Sequence, residues 1–201
     1  MKGIRVLTGL LMSSSLLACA PDERTEKPAP VPIRLAEDAN SVPAALASTL
    51  FEEVVKSGIN SPEEIDALRK ERGFNPGRFF IAERVDLDGD GRPELLIQSS
   101  RNEPLCPTPN CPAWAYRIDG ERYVRLLSDL AGYIDGVTVL ATSTKGMLDL
   151  KVQQHSSASE RDVVVYRFDG QAYQPSDCTT DTYAVTDKGV EKVKTVARPC
   201  P

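Results

Sequence analysis

Five oxygen donors within nine consecutive positions are the residues of this chain best placed to do chemistry. The segment reads Asp86-Leu87-Asp88-Gly89-Asp90-Gly91-Arg92-Pro93-Glu94. Oxygens at alternate positions converge on one point when the backbone curls tightly, and Gly91 permits the sharp turn. The candidate ligands are the carboxylates of Asp86, Asp88 and Asp90, the carbonyl oxygen of Arg92, and Glu94 directly or through a water molecule. This pattern predicts a site for a hard divalent cation.

Calcium is the cation that the donor set favours. Ca²⁺ accepts six to eight oxygen ligands in a flexible geometry, whereas Mg²⁺ prefers to retain several of its own waters. The alternative is a tight Asp/Gly turn without an ion, because both residue types also dominate ordinary hairpin turns. A catalytic metal is the weaker interpretation, since catalytic sites usually draw ligands from several segments.

The acidic segment resembles the D-x-D-G-D-G-x-x-[DE] loop of FG-GAP and related integrin-like or VCBS-like repeat proteins. It departs from an EF-hand because Ile97 stands where the twelfth-position glutamate is expected. The resemblance implies a structural Ca²⁺ loop between two strands. A single copy does not predict a propeller, which needs several.

The N-terminus predicts export and lipidation. Lys2 and Arg5 precede an apolar run from Val6 to Met12, which is the pattern of a signal peptide and is shorter than a membrane span. Residues 16–19 read Leu-Leu-Ala-Cys and resemble the bacterial lipobox, in which cleavage leaves a lipid-modified cysteine at the new N-terminus. We therefore expect a signal peptide at 1–18 and a lipid anchor on Cys19. Ala20 follows the cysteine in place of Asp, which resembles outer-membrane sorting in enteric-type bacteria and implies an anchor in the outer membrane, facing the periplasm.

Four cysteines remain after lipidation, at positions 106, 111, 178 and 200. An even number in an exported chain predicts two disulfides. The preferred pairing of the three possible ones joins Cys106 to Cys111 and Cys178 to Cys200. Zinc is the competing explanation, but there is no C-x₂-C motif and His155 is the only histidine.

The hydrophobic pattern predicts an α+β fold in residues 44–201, after a Pro/Ala-rich linker at 19–43. A first helix carries Leu46, Leu50, Phe51 and Val54 and ends at Gly58, and a second begins with a capping box at Ser61 and Glu64. The later chain alternates as strands. The repeats Tyr116–Tyr123 and Tyr166–Tyr173 predict hairpins that turn at Asp-Gly. We expect two N-terminal helices packed on an antiparallel β-sheet built from hairpins.

Composition narrows the class of partner. The chain has a net charge of -5, with 41% hydrophobic and 26% charged residues. This is typical of a globular domain and unlike the basic surface that nucleic acid requires. The predicted partners are a membrane, reached through the lipid, and a protein or glycan ligand.

The functional prediction is a membrane-anchored, non-enzymatic binding module with a structural Ca²⁺ site. His155 lies in a polar run and predicts a solvated loop more than a catalytic base. The alternatives are a hydrolase of an envelope glycan and a binder similar to lysozyme inhibitors. An exposed aromatic binding face of Trp114, Tyr116 and Tyr123 also competes with their burial in the core.

Overall fold

The computed structural model describes residues 25–26, 41–58, 60–100, 104–106, 110–133 and 137–200. The predicted signal peptide and Cys19 lie outside the described residues, as does the predicted linker apart from 25–26 and 41–43. None of the helices in the described segments is long and apolar enough to cross a membrane.

Two short helices form at the predicted positions. Helix α1 spans Ala44–Ser57, buries one apolar stripe and ends at Gly58, which has a positive φ of 75°. Helix α2 spans Pro62–Lys70 and carries the predicted capping box. In that box, the Glu64 N–H donates to Ser61 Oγ at 3.3 Å, and the Ser61 N–H donates to Glu64 Oε2 at 2.9 Å. These bonds satisfy donors that a helix start leaves free.

Strands make up most of the described chain. The described residues contain ten strands, β1 (Thr25–Glu26), β2 (Phe80–Val85), β3 (Glu94–Ser99), β4 (Cys111–Asp119), β5 (Arg122–Tyr133), β6 (Val137–Thr144), β7 (Met147–His155), β8 (Glu160–Phe168), β9 (Tyr173–Thr186) and β10 (Gly189–Ala197). A short 3-10 turn at Pro76–Phe79 precedes β2. The strands form two antiparallel sheets, with the orders β2-β3-β4-β5 and β1-β6-β7-β8-β9-β10.

The predicted α+β class is wrong, because the fold is mainly β, with 53% strand and 19% helix. The error came from expecting one sheet covered by helices on one side. Strands β3 and β4 carry apolar side chains on both faces, and most of their residues are buried. A sheet of this kind needs a cover on each side, and the second sheet provides the one that the helices do not.

Two hydrophobic clusters lie on opposite faces of the four-stranded sheet. The first joins α1 and α2 to alternate strand residues, including Leu95, Ile97 and Trp114. The second contains the intervening residues, including Leu96 and Ala115, and extends across β7, β8 and β9 of the other sheet. The layers therefore run from helices to the four-stranded sheet to the six-stranded sheet.

The two Asp-Gly repeats form hairpins as predicted, one in each sheet. Asp119 pairs with Arg122 at the end of the β4–β5 hairpin, and Phe168 pairs with Tyr173 at the end of the β8–β9 hairpin. Gly120 and Gly170 have positive φ angles of 62° and 108°, which glycine adopts without steric cost.

Both disulfides form in the preferred pairing. Cys106 is bonded to Cys111 at the start of β4, and Cys178 of β9 is bonded to Cys200 beyond the end of β10. Between the first two cysteines, the Asn110 side chain accepts from the His155 N–H at 2.8 Å and donates to its carbonyl oxygen at 3.0 Å. His155 is thus the last residue of β7 and half-buried, which corrects the prediction of a solvated loop.

Replacing Phe51 with alanine tests the helix-side cluster. Phe51 is 1% exposed and packs edge-on against Phe74. We expect Phe51→Ala to lower the free energy of unfolding by about 3 to 5 kcal/mol, the usual result of emptying an aromatic site in a core. Urea unfolding followed by circular dichroism measures the loss. Ile81→Ala is the control, because Ile81 is 52% exposed and should change stability little. Equal losses in both variants would contradict the assignment of this core.

Candidate metal centre

The acidic loop connects two neighbouring strands of the four-stranded sheet. Strand β2 ends at Val85 and β3 begins at Glu94, and these two residues are paired in the ladder. The loop reverses direction through Gly89 and Gly91, whose φ angles are 77° and 85°. A side chain at either position would be strained in this left-handed region, which explains the two glycines.

Backbone N–H groups hold the loop carboxylates in place. Asp86 accepts from the Gly89 N–H through Oδ1 at 2.7 Å and from the Gly91 N–H through Oδ2 at 3.0 Å. Asp88 accepts from the Asp90 N–H at 3.0 Å. These bonds to residues two to five positions ahead stabilise a tight turn. The loop therefore has a local reason to curl with its carboxylates inside.

Glu94 is the buried member of the site. It is 2% exposed, and its Oε2 accepts from the Leu87 N–H at 2.9 Å. Burial raises the pKa of the Glu94 carboxyl above its ordinary value, and the neighbouring Asp88 charge raises this pKa further. The Leu87 N–H and the Arg117 guanidinium act in the opposite direction. The surrounding groups therefore do not fully compensate the negative charge of the ionised Glu94 carboxylate.

Three of the predicted ligands converge. Asp86, Asp88 and Glu94 each offer one oxygen, and these atoms lie within 4.8 Å of one another. The first two are half-buried and the third is buried. Such a triad could hold a metal ion.

Asp90 and Arg92, the other two predicted ligands, occupy the outer turn of the loop. Asp90 is exposed and lies outside the triad, and its Oδ1 accepts from the Arg92 N–H at 2.7 Å. The structure thus brings Asp86, Asp88 and Glu94 together, whereas the Asp90 carboxylate accepts a hydrogen bond from a neighbouring backbone N–H.

Sequence reasoning missed Arg117, which lies in β4 beside the loop. Its Nη2 lies 3.4 Å from Asp88 Oδ2, and its Nε lies 3.5 Å from Glu94 Oε1. The same Nη2 lies 3.2 Å from the sulfur of Met147 in β7. The only signal was the repeat, which places Arg117 and Arg167 at equivalent positions, but Arg167 pairs with Asp177 instead. Pairing across strands decides which acid each arginine meets.

The loop is attached to the second sheet as well as to the first. The Leu148 N–H of β7 donates to the Leu87 carbonyl oxygen at 2.8 Å. The Tyr173 hydroxyl of β9 donates to the Leu148 carbonyl oxygen at 2.6 Å. Burial, followed by the nearby Glu94 charge, raises the pKa of Tyr173, so this hydroxyl stays protonated. A change in the loop would therefore reach the interface between the sheets.

The aromatic residues considered as an alternative binding face are largely in the core. Trp114 is 0% and Tyr116 is 3% exposed, while Tyr123 is half-buried. The Trp114 indole N–H donates to Glu53 Oε1 at 3.3 Å, and Arg125 Nε donates to the Tyr116 hydroxyl at 3.1 Å. Their polar atoms thus have internal partners, as buried aromatics require.

Comparison of the chain with protein-family models, curated proteins and solved structures finds no match. The geometry of the loop places three carboxylates around one point, and each of them accepts at least one backbone N–H. It contains oxygen donors only, which suits a hard cation.

The raised pKa of Glu94 predicts a pH dependence of stability without metal. The folded state binds the Glu94 proton more tightly than the unfolded state does. The unfolding free energy of the protein therefore falls as pH rises from the unfolded-state pKa of Glu94 through its higher folded-state pKa. Glu94→Gln cannot ionise but keeps a carbonyl oxygen for the Leu87 N–H. In metal-free buffer, we expect the unfolding free energy of Glu94→Gln relative to the original protein to increase from about pH 4 to pH 7. Urea titrations at several pH values measure this difference, and a difference that falls with pH would refute the account.

Proposed function

We propose that this protein is a lipid-anchored envelope protein whose folded domain is stabilised by Ca²⁺ bound at the loop 86–94. Its activity would be the non-enzymatic binding of a protein or glycan ligand. The observation that carries the calcium assignment is the convergence of Asp86, Asp88 and Glu94, whose oxygens lie within 4.8 Å of one another.

The spacing of the triad is compatible with calcium. Ca²⁺ lies about 2.3–2.6 Å from its ligands, so two oxygens on opposite sides of one ion are roughly 4.6–5.2 Å apart. Separations within 4.8 Å are therefore compatible with contact of all three oxygens with a single Ca²⁺. The preference for Ca²⁺ over Mg²⁺ comes from the protein-supplied oxygen set, because Mg²⁺ usually keeps several of its own waters. The carbonyl oxygen of Arg92 and water molecules would complete the larger shell.

The position of the loop supports a structural role for the ion. The three carboxylates belong to one short connection between paired strands, so the ion would close a turn that the backbone already forms. Glu94 is buried, and a bound cation would compensate the charge that its surroundings oppose. This matches what the FG-GAP resemblance implies, a Ca²⁺ loop between strands.

Three features support the envelope location. The residues before Cys19 have the order of a lipoprotein signal, and the cysteine occupies the lipobox position. The remaining four cysteines form two disulfides. Disulfides persist in oxidising compartments such as the periplasm and are rare in the cytosol. A lipid on Cys19 would hold the domain at the membrane, and Ala20 after the cysteine favours the outer one.

Calcium should stabilise the protein against heat. If Ca²⁺ binds only the folded state, a free concentration a hundredfold above the dissociation constant adds about 2.7 kcal/mol to the unfolding free energy. We expect the unfolding midpoint to rise with Ca²⁺ after treatment with EDTA, and to rise less with Mg²⁺. Differential scanning calorimetry of the disulfide-bonded protein measures both midpoints.

Two substitutions make this calcium test specific. Asp88→Asn should abolish the calcium response, because it removes a charged ligand from the triad. Asp169→Asn is the matched control, since Asp169 also precedes a glycine and accepts two backbone N–H groups, but in the β8–β9 turn. Its calcium response should be unchanged. A full response in Asp88→Asn, or none in the original protein, would refute the site.

Replacing Cys19 with serine tests the anchor. The sulfur of Cys19 is the atom that the lipid would modify. The full chain with Cys19→Ser, expressed in a bacterial host, should therefore no longer incorporate radiolabelled palmitate. The variant should also leave the detergent phase on phase separation. Cys178→Ser is the control, because it removes a disulfide-bonded cysteine of the folded domain and should keep the label. Labelling of Cys19→Ser equal to that of the original chain would contradict lipidation at this residue.

A further inference from the structure

The guanidinium of Arg117 lies among the carboxylates of the acidic loop but comes from a different strand. In the β3–β4 ladder Leu95 pairs with Tyr116, so Glu94 and Arg117 are the next residues along the two strands. Two different nitrogens of the guanidinium face two carboxylates, with Nη2 toward Asp88 and Nε toward Glu94. One positive charge is thus shared by two members of the triad.

We propose that Arg117 is a built-in counter-cation of the loop, which neutralises Asp88 and Glu94 when no metal ion is bound and thereby weakens the affinity for Ca²⁺. This inference rests on the calcium site proposed above and adds the residue that sets its strength. It assigns to Arg117 a role that a purely structural ion pair would not have.

The distances show that the guanidinium can yield to an ion. Its contacts with Asp88 Oδ2 and Glu94 Oε1 are 3.4 Å and 3.5 Å, longer than the roughly 2.7–2.9 Å of a strong charge-assisted hydrogen bond. The Arg117 side chain is 38% exposed, so solvent is available to the guanidinium if it moves. The contacts therefore compensate the charges of Asp88 and Glu94 without fixing the guanidinium in place.

Electrostatics gives the sign of the effect. The triad carries three formal negative charges when ionised, and Arg117 reduces this to two. A divalent ion entering the loop is repelled by this positive charge a few ångströms away, which lowers its affinity. Because coupling between two bound cations is reciprocal, the ion must also weaken the hold of the loop on Arg117.

A second contact joins Arg117 to the six-stranded sheet. Arg117 Nη2 also lies 3.2 Å from the sulfur of Met147, a residue of β7 that is 1% exposed. The guanidinium thus lies between the loop and the six-stranded sheet. The original protein without metal should owe part of its stability to Arg117, and the calcium-loaded protein should owe less.

The test compares Arg117→Gln and Arg117→Lys with the original protein. Chelator competition, starting from the calcium-loaded protein, measures the dissociation constant even if a variant is unstable without metal. We expect Arg117→Gln to bind Ca²⁺ about tenfold more tightly, since it removes one nearby positive charge. It should also have a lower unfolding midpoint in EDTA. Arg117→Lys keeps the charge and should stay within about threefold of the original affinity.

Arg122→Gln is the matched control. Arg122 lies on the same β4–β5 hairpin, loses the same charge on substitution, and pairs with the exposed Asp119 away from the loop. Its calcium affinity should match that of the original protein. A tightening in Arg122→Gln equal to that in Arg117→Gln would overturn the proposal, because the effect would then come from overall charge.

The outcomes separate this inference from the calcium site itself. If the original protein binds Ca²⁺ in a manner that Asp88→Asn abolishes, but Arg117→Gln binds equally or more weakly, the role of Arg117 is refuted and the site stands. If neither the original protein nor Arg117→Gln binds Ca²⁺, the proposed site fails and the inference fails with it. Tighter binding combined with lower stability in EDTA supports both.

Discussion

The architecture depends on the burial of both faces of the four-stranded sheet. Trp114 and Leu95 point toward the helices, while Leu96 and Ala115 point toward the second sheet, and all four are at most 6% exposed. Removing apolar area from water is the main favourable contribution to folding, at about 25 cal/mol per Å². Neither the helices nor the second sheet could satisfy both faces alone. The three layers are therefore required together.

The burial of Glu94 in the acidic loop is a consequence of its position in this sheet. Because β3 is buried from its first residue, the carboxylate of Glu94 is drawn into the layer between the sheets. An ionised carboxylate in that place needs compensation. The Leu87 N–H and Arg117 supply part of it, and the proposed Ca²⁺ would supply more. The same burial that stabilises the fold thus creates the demand for positive charge at the loop.

Local patterns predicted the elements better than their arrangement. The capping box at Ser61 and the two Asp-Gly hairpins formed as expected, because each depends on residues a few positions apart. Alternation was less reliable at the start of β2. Residues two apart on a regular strand share a face, yet Phe79 ends a 3-10 turn and is buried, whereas Ile81 is 52% exposed. A change of backbone geometry between two residues shifts the face that the second one presents.

The sequence by itself determined the two helices, the hairpin turns, and a loop whose aspartates accept hydrogen bonds from their own backbone. Each of these follows from short-range geometry. Only the tertiary structure decided that the class is mainly β, that Glu94 is buried, and that Arg117 enters the acidic loop. These depend on which strands pair and which faces are covered, and such contacts join residues far apart in the chain. Side-chain periodicity shows that a strand has two faces but does not show what lies against each of them.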